Sequence, residues 1–535
     1  MRVLLINPET PESFWTFSNT RKFLGRKALI PPLGLITVAG LLPREWEFRL
    51  VDLAARKLTD DDWNWADMVM MSAMIVQRES LLALIKEGKQ KGKLIVVGGP
   101  YPTSLPDEAL EAGCDFLVRG EGESAIPILL EALEQGQTGG IIDSKTKPEL
   151  SDSPIPRFDL LNFDDYIVLG VQTSRGCPFD CEFCDIVNLY GRKPRYKTGD
   201  QLIEELETIY QLGWRREVFI TDDNFIGSKS HARNLLAKLT PWMKDHGEPF
   251  VFWTQTSVNL GQDLGLIDLL TAANFSTVFL GIESQDEDIL ALNGKFQNIQ
   301  NPLLESVNNI NANGLSIVAS FVIGFDNEKP GAGEGICSFV DTAGIPIVVL
   351  NMLHALPNTR LWDRLKKEGR LVETNTTGQT TGEKMNFIPT RPESEIVAEY
   401  LGAWDHLYAP SRYLERAYRW FLKMRPTRAA LGNGEDKSVR VTRISAGTTQ
   451  WNIVQDLDRF ARFSWKAGIR SDHKMQYWKQ FFGMWRHNPS RLVKYVNVCA
   501  LGDNMIAFKK VVHDRIGKRV ADEEPMSKRA STACR

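Results

Sequence analysis

The run Thr173-Ser174-Arg175-Gly176-Cys177-Pro178-Phe179-Asp180-Cys181-Glu182-Phe183-Cys184 decides how the rest of the chain is read. It puts three thiols in one short loop, spaced Cys-x-x-x-Cys-x-x-Cys. Thiolates hold iron–sulfur clusters, and their spacing decides which sulfur reaches which iron. Three thiolates can hold three irons of a 4Fe–4S cube and leave the fourth iron open to a substrate or cosubstrate. Structural zinc is the rival, but it takes four Cys or His ligands. No fourth cysteine is close, and the nearest histidine after the trio is His231. Cys114, Cys337, Cys499 and Cys534 stand singly and read as small buried hydrophobes or a free tail thiol.

The loop follows a strand-like run, Tyr166–Thr173. Further runs are Val218–Thr221, Val251–Thr254, Thr277–Ile282, Ile317–Ile323 and Ile347–Met352, with helix-like segments between them. Six β/α units predict a partial (β/α)6 barrel over 166–390, with active groups at the strands' C-terminal ends. Upstream, Val3–Ile6, Phe48–Val51, Met68–Met71, Leu94–Val97 and Phe116–Val118 alternate with amphipathic stretches such as Ser80–Lys91 and Ser124–Leu133. Short buried runs between helices predict a parallel, Rossmann-like α/β sheet over 1–145. Ligands bind beyond the carboxyl ends of such strands. That rule lines Asn7, Ser72, Gly98, Gly99 and Glu121 along one crevice. Pro148, Asp152, Pro154, Pro156 and Asp159 mark 146–165 as a linker.

From 391 to 535 the character changes to a mainly helical region. Seven of the 14 Trp lie from Trp362 onward, among them Trp420, Trp465, Trp478 and Trp485, interleaved with basic residues. Helices are expected at Arg412–Met424 and Met475–Trp485, with a loop over 425–450. A chain of 535 residues is too long for one ordinary domain. Its net charge of −3 gives no hint of nucleic acid as a partner. The longest apolar stretch, Ile30 to Pro43, is shorter than the roughly 18–20 residues of a membrane span. The first residues read as a strand without a signal-peptide cleavage site, so a cytoplasmic location is expected.

The cysteine spacing, with Phe179 and Phe183 inside the loop, resembles the radical S-adenosylmethionine (radical SAM) enzymes. That resemblance implies a 4Fe–4S cluster on Cys177, Cys181 and Cys184 whose open iron binds the methionine part of SAM. It also implies reductive cleavage of SAM to a hydrogen-abstracting radical, fed by an electron donor such as flavodoxin or ferredoxin. Further matches fall at strand ends. They are Asp222 and Asn224 in Thr221-Asp222-Asp223-Asn224-Phe225, then Ser257 and Asn259, Glu283 in Gly281-Ile282-Glu283-Ser284, and Gly324 in Ile323-Gly324-Phe325. The resemblance assigns these to SAM; helix capping is the plain alternative for Asp222, Asp223 and Asn224.

The order of α/β sheet, linker and barrel resembles the cobalamin-dependent branch of that family. The matching residues are Pro32 and Gly34 in Pro31-Pro32-Leu33-Gly34-Leu35, Ser72, and Gly98 and Gly99 in Val97-Gly98-Gly99-Pro100. Glycines permit the close backbone approach that a flat corrin needs. The Asp-x-His-x-x-Gly motif that supplies an axial histidine is absent, and the first histidine of the chain is His231. Cys184-Asp185-Ile186, Leu189-Tyr190-Gly191-Arg192 and Asp222-Asp223-Asn224-Phe225-Ile226-Gly227 resemble the subgroup of hopanoid C-2 methylases and bacteriochlorophyll side-chain methylases.

The resemblance therefore implies a C-methyltransferase acting on an unactivated carbon of a large apolar molecule, a hopanoid-like lipid or a tetrapyrrole. A cyclase or rearrangement enzyme with the same cofactors is the alternative, and a cobalamin- or redox-sensing binding protein is a third reading. The aromatic-basic C-terminal helices suit a large apolar substrate or contact with a membrane surface; packing against the barrel mouth is their plain alternative.

Overall fold

Apolar runs bounded by turns become buried strands in both halves of the chain. The computed structural model describes residues 1–372, 384–432 and 460–533. In the N-terminal part, β1 (Arg2–Asn7), β2 (Glu47–Asp52), β3 (Met68–Ser72), β4 (Leu94–Gly98), β5 (Phe116–Arg119) and β6 (Gly140–Asp143) pair in the order β2-β1-β3-β4-β5-β6. Every pair is parallel. Parallel strands need helical crossovers, which cover both faces and demand apolar residues on each. Accordingly Leu4, Ile6, Val69 and Val97 pack to one face. Val3, Leu5, Met68 and Val96 pack to the other. The sequence reading has no counterpart of β6. It is an edge strand in which Ile142 alone is buried, so it lacks the apolar run that marks its neighbours.

Residues 144–165 are packed rather than a free linker. They form short 3-10 turns at Leu150–Asp152, Phe158–Leu160 and Phe163–Asp165, with Leu150 and Phe158 buried. The Arg157 amide donates to the Ile36 carbonyl at 3.0 Å. The strand expected from Tyr166 begins instead at Val168, because Tyr166 bridges to Ala28 and the Ile167 amide donates to the Ala28 and Leu29 carbonyls at 3.2 Å instead of joining the sheet.

The second sheet contains β7 (Val168–Val171), β10 (Glu217–Ile220), β11 (Val251–Thr256), β12 (Phe275–Glu283), β13 (Ser316–Ile323) and β14 (Ile347–Met352) in the order β14-β13-β12-β11-β10-β7. All pairs are parallel and the edges β7 and β14 do not meet, so the arc stays open. Its outer face, with Val218, Phe252, Val278 and Ile317, buries against Leu206, Leu235 and Leu270 of the surrounding helices. Between β7 and β10, β8 (Ser174–Arg175) and β9 (Arg195–Tyr196) form an antiparallel ribbon that frames the cysteine loop.

The C-terminal helices are Glu393–Leu407, Pro410–Lys423, Lys474–His487 and Leu492–Ala533. Trp404, Tyr413, Trp420 and Tyr495 are fully buried in the same apolar cluster as the barrel strands, so the two regions share one core. The long last helix has no counterpart in the sequence reading. It touches several elements in turn, including the helix Ser18–Leu24, so no single apolar stripe announces it. The loop expected over 425–450 lies outside the described residues from 433 onward, as does Cys534.

Candidate active site

The cysteine loop leaves β8 through Gly176, whose φ of 93° and proximity to the Gly191 carbonyl leave no room for a side chain. Its other supports come from the barrel. The Gly176 amide donates to Asp223 at 3.0 Å and the Glu182 amide to the Asn293 carbonyl at 2.9 Å. Cys177, Cys181 and Cys184 are half-buried and unpaired. Burial raises the Cys177 thiol and pushes Cys184 up to about 12. Such thiols ionise only when a cation takes the proton's place. Among the described residues no three Cys, His, Asp or Glu converge as ligands of a single ion would. A cube takes each thiolate on a different iron, so this donor set fits a cluster and not a lone zinc.

The strand ends converge here, but not always in the expected roles. Asp222 is fully buried and its carboxylate is saturated. One oxygen accepts the amides of Thr173 and Ser174 at 2.7 and 2.9 Å, the other their hydroxyls at 2.5 and 2.8 Å. It ties the end of β7 to the end of β10 and has no face left for SAM. Asn224 is brought together with Ser257 (3.2 Å), whose hydroxyl donates to Asn259 at 2.6 Å. Glu283 has a φ of +66° and pairs with Lys295 at 2.5 Å. The Lys295 ammonium lies 5.7 Å from the Phe183 ring, which in turn packs 5.7 Å from Phe325. Gly324, at φ +99°, donates its amide to Glu328 at 2.9 Å. Lys295, Gln297 (3.7 Å from the Cys181 sulfur) and Asn298 escaped the sequence reading. The polar run Asn293-Gly294-Lys295-Phe296-Gln297-Asn298 after a helix was the available signal.

The N-terminal sheet meets the barrel at the same end. Glu121 does not line an open crevice. It is buried, and its oxygens pair with Arg195 at 2.8 and 2.9 Å and with Arg175 at 2.9 Å. Glu123 adds two more bonds to Arg175 at 2.8 Å, so two carboxylates of one domain clamp the residue that opens the cysteine loop of the other. Ser72 and Gly98 pair across β3 and β4. Gly99, at φ +97°, would put a Cβ 2.5 Å from the Ser72 hydroxyl and 3.0 Å from the Ala73 amide. The turn therefore needs glycine for its own packing. Asn7 is held by Asp52 and Gln77. Pro32 and Gly34 open the helix Leu33–Leu41; Gly34 is exposed with open space before it, which fits close approach of a flat ligand. A side chain at Gly170 of β7 would meet Ile30 and Thr221 at 3.2 Å and Leu33 at 3.6 Å, so this same segment abuts the barrel's inner wall.

The inner wall is aromatic. Phe219 of β10 pairs in register with Trp253 of β11, and their rings stack at 4.0 Å. One row on, Gln255, Phe279 and Val318 follow one another across β11, β12 and β13. Trp15 from the N-terminal segment lies 5.4 Å from Phe279. Full barrels fill their interior with side chains. Here Phe219, Trp253 and Phe279 are half-buried rather than buried, on strands flanked on both sides, so the lumen is not filled to the density of the outer core. Outside the loop, a groove of roughly 450 Å³ is lined by residues including Phe179, Arg192, Phe296, Gln297 and Arg360.

The profile of the Radical SAM superfamily matches residues 171–340, that of the B12 binding domain residues 25–130, and that of a domain of unknown function (DUF4070) residues 359–518. The chain is 47% identical to an uncharacterized methyltransferase, sll1242, of Synechocystis, over 98% of this chain and 94% of that one. It is 31% identical to the hopanoid C-2 methylase of Rhodopseudomonas palustris, over 89% and 88% of the two chains. The fold is similar to that of the cobalamin-dependent S-adenosylmethionine radical enzyme OxsB, with a TM-score of 0.59 at 14% identity over 97% of this chain and 84% of that one. With a three-cysteine loop at the mouth of an open parallel barrel and a B12 binding sheet clamped against it, the chain belongs to the cobalamin-dependent radical SAM methyltransferases, enzymes that work with a 4Fe–4S cluster, SAM and cobalamin.

Proposed function

We propose that this enzyme C-methylates an unactivated carbon of a large polycyclic apolar molecule, with a hopanoid-like lipid as first choice and a tetrapyrrole as second. The observation that carries this reading is the aromatic lumen, which has the cysteine loop at its mouth and the segment Ile30–Gly34 on its wall. When bound, the cofactors supply a hydrogen abstractor and a cobalt-held methyl group; the protein's part is to orient and to exclude water. Cys177, Cys181 and Cys184 hold the cluster. Phe183, Asn224, Ser257, Asn259, Glu283 and Gly324 border the SAM side, and Pro32, Gly34, Ser72, Gly98 and Gly99 the cobalamin side. Asp222 and Glu121 hold these parts in place through the bonds described above.

Two surfaces complete the proposal. Electrons enter from an external carrier such as a flavodoxin or ferredoxin at the groove outside the loop, where Arg192 and Arg360 both approach Asp180 at 3.6 Å and keep more than half of each side chain exposed to an acidic partner. Among the described residues no helix is long and apolar enough to cross a membrane. Peripheral contact with one is supported by the helix Lys474–His487, which exposes Met475, Phe482 and Trp485 along one side beside Lys479 and Arg486.

The decisive experiment incubates anaerobically reconstituted enzyme with reduced flavodoxin, lipid extract and SAM carrying a deuterated methyl group. A product heavier by one labelled methyl is expected with the wild type and not with Cys181→Ala. SAM cleavage with an unchanged lipid mass would favour the rearrangement reading and defeat this one.

A further inference from the structure

We propose that Gln297 raises the reduction potential of the cluster by donating a side-chain N–H to the Cys181 sulfur, a bond that strengthens once an electron has entered. This holds whichever substrate is methylated. The amide nitrogen lies 3.7 Å from Cys181 Sγ, in a side chain that is 6% exposed. A thiolate only accepts, so the nitrogen of the amide and not its oxygen faces the sulfur. The oxygen is enclosed and has no hydrogen-bond partner among the described residues, so no other bond accounts for the way the amide is turned.

The backbone carries this donor into place. Gln297 is the middle residue of the 3-10 turn Phe296–Asn298, which follows the helix Glu287–Leu292. On one side of it, the buried Asn298 donates its side-chain amide to the Gly281 and Ile282 carbonyls of β12, at 3.0 Å each. On the other side the segment grips the cysteine loop. The Asn293 carbonyl accepts the Glu182 amide at 2.9 Å. Gly294, at φ +70°, passes so close to Asp180 that a Cβ would stand 2.7 Å from its carbonyl oxygen. Asp180 and Glu182 flank Cys181, so Gln297 approaches the one cysteine whose two neighbours this segment already holds.

Hydrogen bonds to the sulfurs and exposure to solvent are two of the levers by which a protein sets a cluster's potential. Reduction places one further negative charge on the cluster and its thiolates. The electron comes from an external low-potential carrier, and no covalent bond of Gln297 forms or breaks. Hydrogen bonds strengthen as the acceptor gains negative charge. A donor at the Cys181 sulfur therefore stabilises the reduced state more than the oxidised one and draws the potential upward. Gln297 also lines the groove outside the loop, so it separates that groove from the sulfur.

The test titrates holoenzyme, loaded with cluster and cobalamin and free of SAM, against solution potential with viologen mediators. Paramagnetic resonance follows the reduced cluster. Gln297→Leu keeps much of the side chain's bulk, and with it the exclusion of water, but removes the N–H. At one fixed potential its ratio of reduced to oxidised cluster should fall about tenfold, a downward shift of about 59 mV for one electron. Gln297→Met, unbranched and of similar length, removes the same donor and should shift the potential the same way. SAM cleavage driven by reduced flavodoxin should slow in the leucine variant and recover with titanium(III) citrate, since a stronger reductant compensates for a lowered potential and not for a misplaced loop. Iron content reports that each variant is assembled. A potential unchanged or raised in either variant that keeps its iron would overturn the proposal, as would loss of iron from both. No substrate takes part in the titration, so its outcome is separate from that of the methyl-transfer reading.

Discussion

Replacing Asp222 distinguishes a carboxylate that touches SAM from one that holds the chain. Its two oxygens divide the work: one takes the amides of Thr173 and Ser174, the other the two hydroxyls. Asp222→Asn keeps this pattern, because the amide oxygen accepts both N–H groups while the NH2 donates to hydroxyls that rotate to accept. The variant loses charge-assisted bonds but no longer buries a charge, which already raises this carboxyl's pKa. The net change should stay within about 1 kcal/mol. Asp222→Leu leaves two buried amides unbonded at about 1–3 kcal/mol each, or about 4 kcal/mol together. Unfolding of a multidomain chain is not two-state, so the local readout is hydrogen exchange at Thr173 and Ser174. Exchange there should accelerate about a thousandfold in Asp222→Leu and less than about tenfold in Asp222→Asn. Iron content should fall in the leucine variant alone, and SAM affinity of the asparagine variant should match wild type. If Asp222→Asn retained protection and iron but lost SAM binding, the carboxylate would be a cofactor ligand and the structural account would be wrong.

Other outcomes follow from the same geometry. Burial pushes the Glu328 carboxyl up to about 7 despite its bond from Gly324 and the nearby Arg391. A carboxyl raised in the folded state withdraws stability as pH climbs from about 4, its unfolded value, through 7, by roughly 3 kcal/mol or slightly more. Glu328→Gln should therefore raise the first thermal transition at pH 8 and leave it unmoved at pH 4; the same gain at both would contradict the assignment. No histidine precedes His231, which stacks on Tyr196 at 4.1 Å in the barrel, so paramagnetic resonance of the cobalt(II) form should lack nitrogen superhyperfine splitting. Clear splitting from an axial nitrogen would defeat this. Serine at Phe482 and Trp485 together should weaken binding to anionic vesicles at least about tenfold, given the apolar area removed; unchanged sedimentation with vesicles would remove the membrane contact.

The cysteine trio and the apolar strands of both sheets were legible in the sequence because each depends on local spacing. A thiol loop needs its three cysteines within one turn's reach, and a parallel strand needs an apolar run bounded by turns. The edge strand Gly140–Asp143 was not legible, since one buried residue makes no pattern. Nor was the packing of 144–165, whose prolines read as a linker while Leu150 and Phe158 were being buried by distant partners.

At the site, residue types at the strand ends could be read, but their partners could not. Asp222 spends its carboxylate on Thr173 and Ser174, and Glu121 is claimed by Arg175 and Arg195 from the other domain. Glu283 meets Lys295 across a helix and a turn, and Lys494 reaches Ser276 from the far end of the chain. Periodicity tells which face of a strand is apolar, because that follows from backbone geometry alone. Which charges meet is set by sheet order, register and the docking of one domain on another, and these arise only when many distant segments bury their apolar faces together.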